Sequence, residues 1–452
     1  MLERVKIAAV VLLIALLLPL TAFVGSAAPA VESFPDLSGA NAVYFYHLES
    51  GRTMGSKNET EKLPAGTSLR ILSGLIFCER LENQLSGTVE ITDDMIRGAK
   101  GYYGYGMEAG DFFRIEQLLY LSLCGGYNDA YYALAYIIGA GDISAFVQMM
   151  NDRARELGAV NTTATDPSGI LDSSFTTAAD LLLIAQKTVE NTLYMQISGC
   201  PAYDLNGERR IENRNALISS AQEAGRYYNS KCRGLTAGNT TLGGWTVVTM
   251  SEKENDRYLC IVLGGKVGQD ERAEKFGYSI INRMIDWGYT NYRYLEVLTP
   301  ETEICKIPVR ATDVADGAQL CVKESLSFYL PSDAVVGENV RFSIRLIHEE
   351  LDAPVKAGTH VGYIAVIYDE EVLGTAMLYT AEDIGRSGFI GGLMNVKRLT
   401  ESRAACAGLI FFCVAMLAWG IGEYLIKRAR RHKWDRYFSE KIDASETFLT
   451  KK

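Results

Sequence analysis

The chain has 452 residues, 48% of them apolar and 22% charged, with a formal net charge of −10. That length exceeds one ordinary core and predicts two or three domains. The acidic balance argues against nucleic acid as the main partner, because phosphate binding needs a basic surface. No period of the kind repeat proteins show runs through the sequence, and there is no long low-complexity tract.

The chain opens with Arg4 and Lys6, an apolar run Ile7 to Phe23, and small residues through Ala30. A basic start, an apolar stretch and small residues describe a signal peptide over 1–30, cleaved near Ala28 or Ala30; the alternative is an uncleaved anchor. Ala42 to His47 alternates and is rich in aromatics, so it reads as a strand, with Arg52 to Lys57 returning as its hairpin partner. Leu63 to Glu79 then supplies a tight turn and a helix, with Thr67 at its mouth and Arg70 one turn on, on the same face. Residues 87–110 mix short extended runs with glycines and read as loops at a site rim. Ile115 to Leu123, Asp129 to Ile138 and Ile143 to Leu157 carry helical periodicity. Thr177 and Asp180 have capping-box spacing for a helix through Val189. From Leu235 strands return, at Trp245 to Ser251 and Tyr258 to Gly264, joined by a polar Glu-Lys-Glu-Asn-Asp turn. Ala273 to Trp287 is one more helix. Residues 31–292 therefore read as a single α/β domain, an antiparallel sheet with helices on it.

From Arg293 the helical pattern stops. Short, β-branched segments at even spacing describe a small all-β sandwich over 293–380, followed by a linker over 381–403. Ala404 to Ile426, about 23 residues, is long enough to cross a bilayer. Lys427, Arg428, Arg430, Arg431 and Lys433 follow at once. Positive residues stay inside, so the tail at 427–452 is expected in the cytoplasm and the rest outside the membrane.

Of nine cysteines, Cys78, Cys124 and Cys260 sit in apolar runs and read as small core residues. Cys305 and Cys321 are a conceivable disulfide. The four histidines, His47, His348, His360 and His432, show no ligand spacing, so neither a zinc site nor any other cofactor is expected.

Six stretches carry the functional reading. They are Leu63-Pro64-Ala65-Gly66-Thr67-Ser68-Leu69-Arg70, Gly126-Tyr127-Asn128-Asp129-Ala130, Asp166-Pro167-Ser168-Gly169-Ile170, Asn213-Arg214-Asn215-Ala216-Leu217, Gly234-Leu235-Thr236-Ala237-Gly238, and Asp286-Trp287-Gly288-Tyr289. Their order and spacing resemble the serine-type D-Ala-D-Ala carboxypeptidases, the low-molecular-mass penicillin-binding proteins. The resemblance covers nearly the whole ectodomain. It implies an α/β penicillin-binding/β-lactamase-like transpeptidase domain, then a β domain and a C-terminal membrane anchor. It also implies a serine nucleophile at position 67, a lysine base at 70, a serine at 126, and a lysine and threonine at 236 and 237 that bind the substrate carboxylate.

The residues at those positions are different. Thr67 keeps a hydroxyl, but its methyl restricts χ1 and crowds an attack path. Arg70 stays protonated and is no general base. Gly126, Thr236 and Ala237 lack the groups the resemblance calls for, while Asn128 can still hydrogen-bond a peptide and Gly238 lets substrate backbone lie against the strand. Structural readings stand beside these: Thr67 as a helix N-cap, Arg70 paired with an acid, Asn128-Asp129 capping the next helix, and Thr236 to Thr240 as plain strand. The leading expectation is a catalytically impaired family member that binds a peptidoglycan stem peptide, a β-lactam weakly if at all, or a protein partner. Two alternatives remain: an active enzyme using Thr67, and a spacer at the membrane.

Overall fold

The computed structural model describes residues 33–389, apart from 172, 208, 269–273 and 315, together with the helix Arg403–Leu449. The signal-peptide reading at 1–30 and most of the linker lie outside these residues. The chain divides into two units, the first reaching Leu295 and also taking Phe328–Val335.

A five-stranded antiparallel sheet forms the frame of the first unit. Its strands are β1 (Ala42–His47), β2 (Arg52–Lys57), β3 (Cys232–Thr240), β4 (Gly244–Lys253) and β5 (Asp256–Gly265), in the order β2-β1-β5-β4-β3. Alternation along β5 explains its central place, since successive side chains face opposite sides. Leu259, Ile261 and Leu263 point into one core and Tyr258, Cys260 and Val262 into the other. The polar segment expected to join β4 to β5 is shorter than predicted. Glu252 pairs with Arg257 and Lys253 with Asp256, so the strands continue past the apolar run and only Glu254 and Asn255 turn. Glu254 takes a left-handed φ of 58°, as a two-residue hairpin requires.

Six helices cover one face: α1 (Arg70–Leu81), α2 (Ile115–Leu123), α3 (Asn128–Ile138), α4 (Ile143–Glu156), α5 (Ala178–Val189) and α6 (Thr192–Ser198). The other face carries α7 (Phe276–Asn291). Helix α1 is buried continuously from Arg70 to Cys78, which places it at the centre of the helical layer. Phe77 on α1 stacks on Phe146 of α4 at 5.2 Å and meets Tyr131 of α3 at 5.8 Å. Thr177 caps α5 by accepting the Asp180 N–H, but the Asp180 carboxylate turns to Asn161 and Thr162 instead of closing a capping box.

The second unit has the β character expected from 293 onward. Five strands form one antiparallel sheet: β6 (Lys306–Ile307), β7 (Ala318–Cys321), β8 (Val340–Leu346), β9 (His360–Tyr368) and β10 (Glu371–Thr380), in the order β6-β7-β10-β9-β8. A short parallel pair joins Val309–Arg310 to Leu351–Asp352. Cys78, Cys124 and Cys260 are buried thiols, as their apolar settings predict. Cys305 and Cys321 are both free, which corrects the disulfide reading: their segments meet through Leu320 N–H and the Cys305 carbonyl, but no bond joins the sulfurs. The helix Arg403–Leu449 is continuous and contains one stretch, Ile410–Arg431, long and apolar enough to cross a membrane.

The packing of α1 gives a direct test. Phe77→Ala is expected to destabilise the first unit by about 3–5 kcal/mol through lost burial and a residual cavity. Urea denaturation should show a lower midpoint with an unchanged slope.

Candidate functional site

The site lies where the start of α1 meets the edge strand β3. Gly66–Leu69 forms a short 3-10 turn ahead of α1, and Thr67 within it is buried. Its side chain caps neither helix, because no cap hydrogen bond forms at either N-terminus. The Thr67 Oγ1 lies 2.7 Å from Thr246 Oγ1 on β4, hydroxyl to hydroxyl. Thr246 pairs with Gly238 across β3–β4, so all three meet at one place. A Cβ at Gly238 would stand 2.7 Å from Thr67 Oγ1. Only glycine lets the strand pass this close to the hydroxyl.

Arg70 is almost fully buried, 5% exposed. Its Nε donates to the Ser168 carbonyl at 3.0 Å and its Nη2 to Asn128 Oδ1 at 2.8 Å. Its guanidinium also sits 5.2 Å from the Tyr131 ring. Both hydrogen-bond partners are neutral acceptors, which corrects the expectation of an acidic partner. Burial first, and then the nearby Arg214 charge, lowers the Arg70 pKa from its ordinary value. The group remains a donor all the same, because an acceptor oxygen faces each of the two nitrogens that bond it.

Two carboxylates shape the loops around Arg70. Asp166 accepts the N–H groups of Ser168, Ile170 and Leu171, bending its loop so that the Ser168 carbonyl faces Arg70. Asp129 accepts the N–H groups of Tyr105, Gly106 and Met107, which fixes the glycine-rich rim. Its Oδ1 also accepts the Ala130 N–H, in the first turn of α3, at 3.0 Å, while the N-cap position itself falls to Tyr127, which makes no side-chain cap. Asn128 is held at both ends: its Oδ1 accepts from Arg70 and its Nδ2 donates to the Tyr103 carbonyl at 2.8 Å, which leaves one lone pair and one N–H.

Thr67, Arg70, Asn128 and Gly238 line one cleft of about 420 Å³ with Tyr102, Tyr103, Arg214 and Thr240. Gly126, Thr236 and Ala237 do not line it. They border a separate crevice of about 10 Å³ beside Arg70, Arg214 and Tyr131. Ala237 belongs to the core on the α7 side of the sheet. Arg70 and Arg214 border both spaces.

Reasoning from the sequence did not single out Arg214, Tyr103, Thr246 or Ser168. Arg214 is half-buried, and its guanidinium stacks on Tyr103 at 4.1 Å. The available signal was its position between Asn213 and Asn215. Those asparagines bond backbone around Ser198, Cys200 and Gly234, which leaves the residue between them to face the cleft. Thr246 offered no local signal; its role comes from strand pairing alone. No described residue lining the cleft carries a carboxylate, imidazole or amine.

The sequence profile of D-alanyl-D-alanine carboxypeptidases matches residues 30–267, and that of the penicillin-binding protein 5 C-terminal domain matches 306–386. The chain belongs to the D-alanyl-D-alanine carboxypeptidase family. It is 22% identical to the D-alanyl-D-alanine carboxypeptidase DacF of Bacillus subtilis over 364 residues, 78% of this chain and 87% of that protein. It is 24% identical to DacC of Escherichia coli over 373 residues, 78% of this chain and 86% of that one. The fold is shared with penicillin-binding protein 5 of Haemophilus influenzae, with a TM-score of 0.55 at 20% identity over 78% of this chain and 100% of that one. Penicillin-binding protein 6B of E. coli gives a TM-score of 0.56 at 17% identity, over 77% and 97% of the two chains.

Arg70 and Gly126 are coupled by geometry. Gly126 has a φ of 66°, and a Cβ there would stand 3.2 Å from Arg70 Nη1. Gly126→Ser is expected to cost about 2 kcal/mol in the native background. With Arg70→Lys already present, the cost should fall by about 1 kcal/mol. A double-mutant cycle read by chemical denaturation checks the coupling.

Proposed function

We propose that this protein is a catalytically impaired D-alanyl-D-alanine carboxypeptidase that binds a cell-wall peptide without cutting it. The observation that carries the reading is the environment of Thr67. Its hydroxyl faces another threonine hydroxyl at 2.7 Å, and Arg70, in the place of the base, is held as a hydrogen-bond donor. Acyl transfer needs a group that removes the nucleophile's proton, and none lines the cleft. Loss of such a group costs on the order of 10⁶ in rate. The cleft keeps features that suit binding. Arg214 offers a cation for a ligand carboxylate, and Tyr102 and Tyr103 are about half exposed, at 49% and 45%.

The cellular placement belongs to the same proposal. A leader at 1–30 exports the chain, and the apolar stretch within Arg403–Leu449 anchors it. The basic cluster Lys427 to Lys433 stays on the cytoplasmic side, and the two units face the cell wall. The ligand is a peptidoglycan stem peptide. A β-lactam enters the cleft without acylating Thr67.

Incubation of the purified protein with a fluorescent penicillin should give no covalent band. A band that disappears in Thr67→Ala would show an active enzyme and overturn the reading. Thr67→Ser alone should remain unlabelled, because the base is still missing. Calorimetric titration with stem peptides should show saturable binding, weakened about tenfold or more by Arg214→Ala through loss of the charge-assisted contact. No binding by any stem peptide would leave a spacer role in its place.

A further inference from the structure

The cleft holds two cations and, among the described residues, no anion that faces them. Arg70 and Arg214 both line it, and no described lining residue carries a carboxylate. Arg70 commits Nε and Nη2 to the Ser168 carbonyl and Asn128 Oδ1, while its Nη1 makes no hydrogen bond to a described residue. The Arg214 guanidinium stacks on Tyr103 and makes no hydrogen bond or ion pair to a described residue. The two side chains run close together. A Cβ on Gly126 would stand 3.2 Å from Arg70 Nη1 and 3.5 Å from Arg214 Cβ and Cγ. Burial first, and then the Arg214 charge, work against the charged form of Arg70. Asp166 favours that charge through space. Its oxygens, however, are taken by the N–H groups of Ser168, Ile170 and Leu171, and it does not line the cleft.

The room for a ligand ends at the same pair. The cleft follows β3 from Thr241 to Gly238. That strand is outermost in its sheet, so its free edge can take an extended peptide. The next positions along it, Ala237 and Thr236, border the crevice of about 10 Å³, which holds no more than about one water. Arg70 and Arg214 border both spaces. A peptide entering past Thr241 meets Thr67 beside Gly238, then the two guanidiniums, and finds no space for a further residue.

We propose, resting on the function proposed above, that the cleft recognises a stem peptide that has already lost its last residue, through the carboxylate that this loss creates. In the longer peptide the group presented to Thr67 is a neutral amide carbonyl, and one more residue follows it. In the shortened peptide the same carbon bears a carboxylate and nothing follows. The shortened form matches the cleft twice. Its charge meets two guanidiniums with N–H groups to spare, and a carboxylate can take two of them at once in planar pairing. Its chain ends where the crevice leaves no room. The longer peptide would have to slide back by one residue to bring its carboxylate to the arginines, which moves every other residue out of its own contacts. A carboxylate also offsets the repulsion between Arg70 and Arg214, which a neutral carbonyl cannot do. The ligand is therefore the product of a D-alanyl-D-alanine carboxypeptidase reaction rather than its substrate.

The test titrates the full chain in detergent with three synthetic stem peptides, read by calorimetry. One is the shortened peptide with a free D-Ala carboxylate, the second is its C-terminal carboxamide, and the third is the longer peptide ending in D-Ala-D-Ala. The free acid should bind about tenfold or more tightly than either of the others, the gain of a hydrogen bond to a charged group over a neutral one. Arg214→Gln should reduce the preference for acid over carboxamide to about twofold or less, with the carboxamide affinity nearly unchanged. Arg70 is left in place because it ties the walls together, and the comparison of ligands needs no variant at all. A carboxamide or a longer peptide that binds as tightly as the free acid overturns the proposal, as does a preference that survives Arg214→Gln. Mass spectrometry of the longer peptide after incubation separates this result from the functional one. Peptides that bind intact without preference sink this inference alone. Release of alanine, or no binding by any of the three, sinks the functional reading and this inference with it.

Discussion

The first unit is arranged around one buried charge. A guanidinium cannot escape burial by giving up its proton as a lysine does, so each donor that leaves water must find an acceptor. Arg70 places two of its five N–H groups on the Ser168 carbonyl and Asn128 Oδ1, and it also lines the cleft. Those two acceptors lie on different loops, 98 and 58 positions away in sequence. Asp166 bends the loop that presents Ser168, and Asp129, next to Asn128, ties the start of α3 to the Tyr105–Met107 rim. The arginine therefore acts as a tie between α1, the Asp166 loop and the start of α3. Those hydrogen bonds hold the walls of the cleft.

The second constraint is steric. Strand β3 passes Thr67 so closely that a side chain at Gly238 would strike its hydroxyl. That proximity leaves no room for a side chain between the strand and the 3-10 turn. It also encloses the threonine between β3, β4 and the 3-10 turn, with Thr246 as its hydroxyl partner. A nucleophile must be both exposed to its target and deprotonated as it attacks. Thr67 is buried and bonded to a group with no basicity.

The elements were legible in the sequence wherever a period ran long enough to declare itself. The bounds of β1, β2 and α2 coincide with their alternation or helical spacing. The family was legible because six short stretches kept order and spacing even as their polar residues changed. What the sequence withheld was partnership. Thr67 is a competent N-cap residue by type, yet its hydroxyl goes to Thr246, 179 positions away. Asn128 and Asp129 have capping chemistry, yet Asn128 goes to Arg70 and Tyr103, and Asp129 divides its carboxylate between the Ala130 N–H and the Tyr105–Met107 loop. Ala237 shares a motif with Gly238, but period-2 alternation turns its side chain to the opposite core. Such choices are settled by which groups the fold brings within reach, and local pattern does not encode them.

The altered motif positions form one arrangement, and they are better explained together than as separate losses. Arg70 is longer and more branched than lysine, and its Nη1 occupies space that a side chain at Gly126 would need. Gly126 is thus the residue that admits the arginine. With two guanidiniums now beside the crevice that Thr236 borders, a third cation at 236 would face like charges at close range. A neutral threonine relieves that repulsion. Among the described residues, none of the buried polar side chains of the cleft is left without a hydrogen-bond partner. Each orphaned donor or acceptor would cost about 1–3 kcal/mol, and the residues of this site avoid that cost through a mutually consistent set of contacts that holds the walls of the cleft in place.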